Sequence, residues 1–306
     1  MQTTTETVSD AEVPLPPHLR RYGGKTTARL HGTRGPIVVA LGGISADRRV
    51  CAWWAGLAGT GRALDPARLR ILGLDFAADP AGVVAPSTAE QAEVLAAALD
   101  AFGLDAADLL VGASYGGMVA LALAEHLPAR VRRLAILCAP AAPHPAATAM
   151  RELQRRTVAM GLALGCGAEA LSIARGLAMT TYRTPEEFAE RFEGGIPEPG
   201  VLATSAPGAY LRARGDAYQA VMSPERFLSL SASIDRHRVD PAAIAHPTLV
   251  IGARSDRLVP PEQVETLAAA LPDAELHLLD SRYGHDSFLK ETDRIGPLLT
   301  RFLAAA

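Results

Sequence analysis

The chain has 306 residues and 49% of them are apolar, enough to bury one large core. Its formal net charge of −3 gives no strong field of either sign, so neither nucleic acid nor an anionic membrane reads as its main partner. The three cysteines, Cys51, Cys138 and Cys166, lie far apart without a Cys-x-x-Cys, which excludes a disulfide framework and a zinc site of that type and fits a reducing, cytoplasmic setting.

Residues 1–17, "MQTTTETVSDAEVPLPP", lack the basic start and apolar stretch of a signal peptide and read as a flexible tail. No uninterrupted apolar stretch is long enough to span a bilayer. Short apolar runs at 36–41, 69–76, 108–113 and 133–139 read as buried parallel strands. Between them, residues 87–103 form a predicted helix: Ser87 or Thr88 caps it, Glu90 completes a capping box and Gly103 stops it. A second helix runs from Gly116 to about Leu127, closed by Pro128.

From His144 to about Asp240 no strand-like run appears. Helical spacing recurs at 148–164 and 169–180. Thr184, Pro185 and Glu187 open a further helix over 184–192 with a capping box, and residues 193–209 read as loop. Alternation resumes with strands at 248–253 and 275–280, a helix between them after Pro260-Pro261, and a last helix from about Ser287 to Leu303. The expected architecture is α/β, a mostly parallel sheet with helices on both faces. Its core comprises residues 18–140 and 241–306, and residues 141–240 form an inserted helical lid.

The stretch "VGASYGGM" places Ser114 just beyond the strand 108–113, between Gly112 and Gly116. Gly-x-Ser-x-Gly between strand and helix is a nucleophile elbow of the α/β-hydrolase fold, with the serine exposed at the carboxyl edge of the sheet. A serine hydroxyl needs a base, and the base needs an orienting carboxylate. Asp256, beyond the strand 248–253, and His285, beyond the strand 275–280, stand in the required chain order at that edge. Asp280 and Asp286 are rival carboxylates off the strand that normally supplies the acid. His126, His144, His237, His246 and His277 read as surface or turn residues, with His144 alone worth testing because it opens the lid. The amide of Tyr115 and one from Leu41 or Gly42, in "ALGG", are expected to stabilise an oxyanion. No His/Asp/Glu pair shows zinc-ligand spacing on a helix, so no metal is expected.

Elbow and triad specify covalent acyl chemistry but not the acceptor. Over most of residues 36–303 the chain resembles the α/β-hydrolase-fold homoserine O-acyltransferases. The likeness is carried by "GASYGGM", the lid segments "LAMTTYRTPEEF" and "YLRARGDAYQAVMSPERFLSLSASIDRHRVD", the histidine loop "GHDSFL" and the turn "ALGG". It implies Ser114, Asp256 and His285 as the triad, Arg183 for an amino-acid carboxylate and Asp286 for its ammonium. It also implies acyl-CoA and L-homoserine as substrates, no cofactor, and a role in methionine biosynthesis. Acceptance of serine, or plain ester or thioester hydrolysis, are the other readings of the same site. Tyr115 stands where the family commonly has methionine, and the chain is short before its first strands. Leu258, two residues after Asp256, resembles the acetyl-transferring members, whereas Arg257 beside it could meet a succinyl carboxylate. Apolar faces on the lid helices could pair two copies of the chain.

Overall fold

The computed structural model describes residues 7–192, 199–200, 203 and 205–305. Two strands, β1 (Val8–Pro14) and β2 (Lys25–His31), precede the first apolar run. They are followed by β3 (Ile37–Leu41), α1 (Val50–Trp53), β4 (Arg70–Leu74), α2 (Thr88–Ala101), β5 (Leu109–Ala113), α3 (Tyr115–His126) and β6 (Leu134–Leu137). Five helices come next: α4 (Pro145–Ala163), α5 (Gly167–Tyr182), α6 (Pro185–Arg191), α7 (Ala206–Tyr218) and α8 (Pro224–Asp235). The chain closes with β7 (Thr248–Ala253), α9 (Pro261–Ala270), β8 (Ala274–Leu279), α10 (Ser287–Lys290) and α11 (Thr292–Ala304).

The eight strands form one sheet in the order β1-β2-β4-β3-β5-β6-β7-β8. From β4 to β8 every neighbouring pair is parallel, while β1–β2 and β2–β4 are antiparallel. Successive side chains of a strand point to opposite faces. Val39 and Leu41 of β3 accordingly join one core with α2 and α3, and Val38 and Ala40 join the other with Trp54 and α11. Strands β3, β5, β6 and β7 are buried along their whole length, which is why each shows as a continuous apolar run.

Three expectations are corrected. Residues 8–14 are not part of a flexible tail: they pair with β2 along its length, and Val13 and Leu15 are buried. This antiparallel edge exposes most of its side chains, so it shows no apolar run, and Arg29–Asp10 and Lys25–Glu12 pairs hold it at the surface. Most of the predicted loop 193–209 falls outside the described residues, but 206–209 are helical, because Ser205 caps α7 by accepting the amide of Gly208. The last helix is broken at Glu291, with backbone angles of −88° and 37°, into α10 and α11. The helices α4–α8 lie in chain order between β6 and β7.

Candidate active site

The site is built where β5 turns into α3. Ser114 carries φ 54° and ψ −119°, a conformation that costs a non-glycine residue about 1–3 kcal/mol. The glycines around it are demanded by close approach. A Cβ on Gly112 would lie 2.4 Å from the Gly116 carbonyl oxygen, and one on Gly116 would lie 2.4 Å from that of Leu41. The elbow is held by the Ser114 amide donating to the Leu137 carbonyl and the Gly116 amide donating to that of Gly42, both at 2.8 Å.

The other two predicted members converge on this turn. His285 Nε2 lies 2.8 Å from Ser114 Oγ, and His285 Nδ1 lies 2.7 Å from Asp256 Oδ2. Asp256 follows β7, and its second oxygen accepts the amides of Leu258 and Val259. With Nδ1–H donated to Asp256, Nε2 is left to accept the serine proton. Burial works against a charge on His285. The adjacent Asp256, through its charge and its hydrogen bond, and then Asp286 outweigh that burial and raise the imidazole above its ordinary pKa, while Arg151 opposes them. Asp280 lies in an exposed pair with Arg254, away from the histidine.

The ring of His285 sits between Tyr182 and Phe288, at centroid distances of 5.7 and 5.8 Å. The inserted helices therefore touch the base directly. Tyr115 serves the same connection: its ring packs edge-on against Phe76, and its hydroxyl lies 2.5 Å from Ser233 Oγ on α8. Burial drives the Tyr115 phenol pKa upward, so the phenol stays neutral.

A cavity of about 180 Å³ opens over Ser114, walled by the core on one side and by α4, α5 and α8 on the other. Tyr115 lines it. Of the "ALGG" turn it is Gly43, with Ile44, that forms the wall, while Leu41 and Gly42 lie behind. Asp286 lines the cavity; its Oδ2 accepts from Arg183 Nε at 2.9 Å and its Oδ1 accepts no hydrogen bond among the described residues.

Arg183 is a correction. It is held between Asp286 and Glu187 and faces an aromatic cleft with Phe188, Phe192 and Tyr210, not the cavity over Ser114. Glu187 turns to Arg183, so Thr184 caps α6 without the reciprocal half of the predicted box. The arginine of α5 that does line the cavity is Arg175, eight positions earlier. It lies over the rings of Tyr182 and Tyr218 at 5.3 and 4.7 Å and makes no ion pair among the described residues. Helical period carries the signal that would have found it: residues 175, 178, 179 and 182 share a face of α5, and Ala178 and Met179 are buried.

One histidine also differs from expectation. His237 is buried, bonded to Thr88 Oγ1 and the Pro140 carbonyl, and is no surface residue. His144, as expected of a turn residue at the start of the insertion, caps α4 by accepting the Ala146 amide, and it lines the cavity. Arg257 is exposed and outside the cavity, whereas Leu258 lines it. Among the described residues no cluster of three or more His, Cys, Asp or Glu could hold a metal ion, and no described helix is long and apolar enough to cross a membrane.

Fold and site define a class: an α/β-hydrolase-fold protein with a Ser–His–Asp relay at the carboxyl edge of its sheet. The model of the alpha/beta hydrolase fold family matches residues 36–292. The chain is 40% identical to a homoserine O-succinyltransferase of Xanthomonas campestris, over 98% of this chain and 88% of that protein. It is 33% identical to a homoserine O-acetyltransferase of Deinococcus radiodurans, over 88% and 84%. The chain belongs to the homoserine O-acyltransferase family of α/β-hydrolase-fold enzymes. Solved structures share the fold. A homoserine O-acetyltransferase from Bacillus anthracis superposes with a TM-score of 0.83 at 14% identity, over 99% of this chain and 98% of that one. An acetylester hydrolase from Corynebacterium glutamicum superposes with 0.80 at 15% identity, over 98% and 96%.

Proposed function

We propose that this protein transfers an acyl group from acyl-CoA to the side-chain hydroxyl of L-homoserine through an ester on Ser114. The carrying observation is that the cavity over the Ser114–His285 pair also holds Arg175, a guanidinium without an ion pair among the described residues, and the carboxylate of Asp286. A hydrolase that uses water needs only the relay. A zwitterionic amino-acid acceptor needs a cation and an anion at fixed places, and Arg offers a planar fork to the carboxylate. The homoserine O-acyltransferase relatives carry names of this kind of activity.

In the first half-reaction Ser114 Oγ attacks the thioester carbon while His285 Nε2 takes its proton. The tetrahedral intermediate collapses to the acyl-serine, and the proton passes to the departing CoA sulfur. The oxyanion takes the amide of Tyr115 at the positive end of α3 and a second amide from the turn 41–43. In the second half-reaction the homoserine hydroxyl gives its proton to His285 and attacks the acyl-serine. The proton returns to Ser114 Oγ. Arg175 holds the carboxylate and Asp286 the ammonium. Arg183, replaced in that role by Arg175, orients Asp286. The inserted helices act as a lid that keeps water from the ester.

The test is thiol release by the purified protein from acetyl-CoA and succinyl-CoA, with L-homoserine, with L-serine and with neither. Release that rises with L-homoserine and yields the O-acyl amino acid supports the proposal. Release indifferent to any amino acid makes the protein a thioesterase and ends it.

A further inference from the structure

The cavity holds more positive charge than a zwitterionic acceptor uses. Its charged lining residues are Arg151, Arg175 and Asp286. Once Arg175 and Asp286 are assigned to the acceptor, Arg151 remains. Its guanidinium lies against Asp235, with Nε and Nη2 both on Oδ1 at 2.8 and 2.6 Å. That aspartate is shared, since Arg155 takes Oδ2 at 2.6 Å, so two cations meet one anion at this wall. Arg151 Nη1 has no hydrogen-bond partner among the described residues.

One helical turn further along α4 stands Gln154, which is 4% exposed and lines the same cavity. Its side-chain amide makes no hydrogen bond among the described residues, and its polar atoms keep access to solvent, free to meet a ligand in the cavity. An unpaired guanidinium nitrogen and an unpaired amide on one helix face match the oxygens of a carboxylate. The Asp256 loop offers no cation to the cavity, because Leu258 lines it and the exposed Arg257 does not. A methyl-ended acyl group would bury these two polar groups without a partner, which disfavours it.

The geometry points to Arg151 and Gln154 as a subsite for the distal carboxylate of a dicarboxylic acyl donor. The protein then moves a succinyl-type group rather than acetyl, a specificity that rests on the acyltransfer reading above. The carboxylate docks on α4 while the thioester end meets Ser114, and the same contacts hold the acyl-enzyme through the second half-reaction. Arg151 and Gln154 bind and select; neither moves a proton.

The experiment is the ratio of kcat/KM for succinyl-CoA to that for acetyl-CoA, with L-homoserine saturating, in the native chain and in Gln154→Leu and Arg151→Gln. The native ratio is expected to exceed one by about tenfold or more, the usual discrimination when a charge-assisted hydrogen bond is lost. Each variant is expected to lower the ratio by about the same factor. Gln154→Leu breaks no bond within the protein, so it keeps the test alive where Arg151→Gln unsettles Asp235. A native preference for acetyl-CoA, or a ratio that Gln154→Leu leaves unchanged, overturns the subsite while leaving acyl transfer standing. Failure of both donors to react with homoserine overturns both readings at once.

Discussion

A Cβ on Gly284 would lie 2.6 Å from the carbonyl oxygen of Tyr182, so the last turn of α5 rests directly on the residue before the base. Gly284 also has φ 56°, where an L side chain costs about 1–2 kcal/mol. Beside this contact Thr184 Oγ1 donates to the Arg282 carbonyl at 2.6 Å and Arg183 holds Asp286. The inserted helices and the histidine loop thus form one unit. Gly284→Ala is expected to leave a folded protein whose acyl-enzyme forms at least about tenfold more slowly, because the ring of His285 is pushed off Ser114. Mass-spectrometric timing of Ser114 acylation checks this. Wild-type acylation in a variant of normal stability would show that the contact is incidental.

The two arginines near the site separate by half-reaction. Arg175→Met keeps an unbranched chain against Tyr182 and Tyr218 but removes the cation facing the acceptor, so it is expected to raise the KM for homoserine by roughly 10- to 100-fold. Its burst of thiol release in the absence of acceptor is expected to stay within about threefold of native. Arg183→Ala frees the loop that carries both His285 and Asp286, so burst and transfer fall together. Presteady-state thiol release with and without homoserine reads both. The opposite pattern would restore Arg183 as the acceptor's ligand.

Removing the nucleophile or its orienting acid tests the relay. Ser114→Ala is expected to abolish thiol release and leave no acyl adduct. Asp256→Asn keeps a hydrogen-bonding group at the end of β7 but presents the wrong partner to Nδ1, and a loss of about 10⁴-fold in kcat is expected. A decrease of only a few fold, measured on protein with native circular dichroism, would mean that Asp256 merely stabilises the turn through Leu258 and Val259.

The parts legible in the sequence are those where burial and chemistry leave a local mark. The strands β3, β5, β6 and β7 are buried along their length and read as apolar runs; the elbow shows its glycines because backbone meets backbone there. Asp256 and His285 were findable because each ends a strand and chain order narrows the choice. The edge strands β1 and β2 left no such mark, since only Val13 of β1 and Ala28 and His31 of β2 are fully buried. Arg183 is the charged neighbour of a tyrosine in the lid segment that carries the resemblance. The direction of a side chain off a helix end depends on what it pairs with, and Asp286 lies 103 positions away in sequence. Gln154 and Arg151 leave no local mark in the sequence, because nothing there shows that this face of α4 closes a cavity.

The raised pKa of His285 sets the acid limb of the first half-reaction. The base must be neutral to accept the serine proton, so acylation is lost as pH falls through the histidine's pKa. That limb is expected above the ordinary histidine value of about 6.5. Asp286 contributes to the rise after Asp256, so Asp286→Asn is expected to move the limb of kcat/KM for the thioester to lower pH. Acceptor binding plays no part in that parameter. An unmoved limb in this variant would place the titration elsewhere.

Stability at low pH falls to a different histidine. His237 joins α8 to the start of α2 and to the loop after β6, its Nδ1 accepting from Thr88 Oγ1 at 2.8 Å and its Nε2–H donating to the Pro140 carbonyl at 3.1 Å. This arrangement requires the neutral ring, and burial pushes its pKa down to about 4. The folded value lies below the unfolded one of about 6.5, so between them the unfolded chain holds the extra proton. Stability from this group is present above pH 6.5 and drains away as pH falls toward 4, by about 3 kcal/mol in all. His237→Gln keeps an N–H for Pro140 and cannot titrate. It is expected to be less stable than native at pH 7 and to lose less on acidification. Urea unfolding of both proteins at pH 7, 5.5 and 4.5 gives the difference of slopes; equal slopes would mean that the ring already charges in the folded protein.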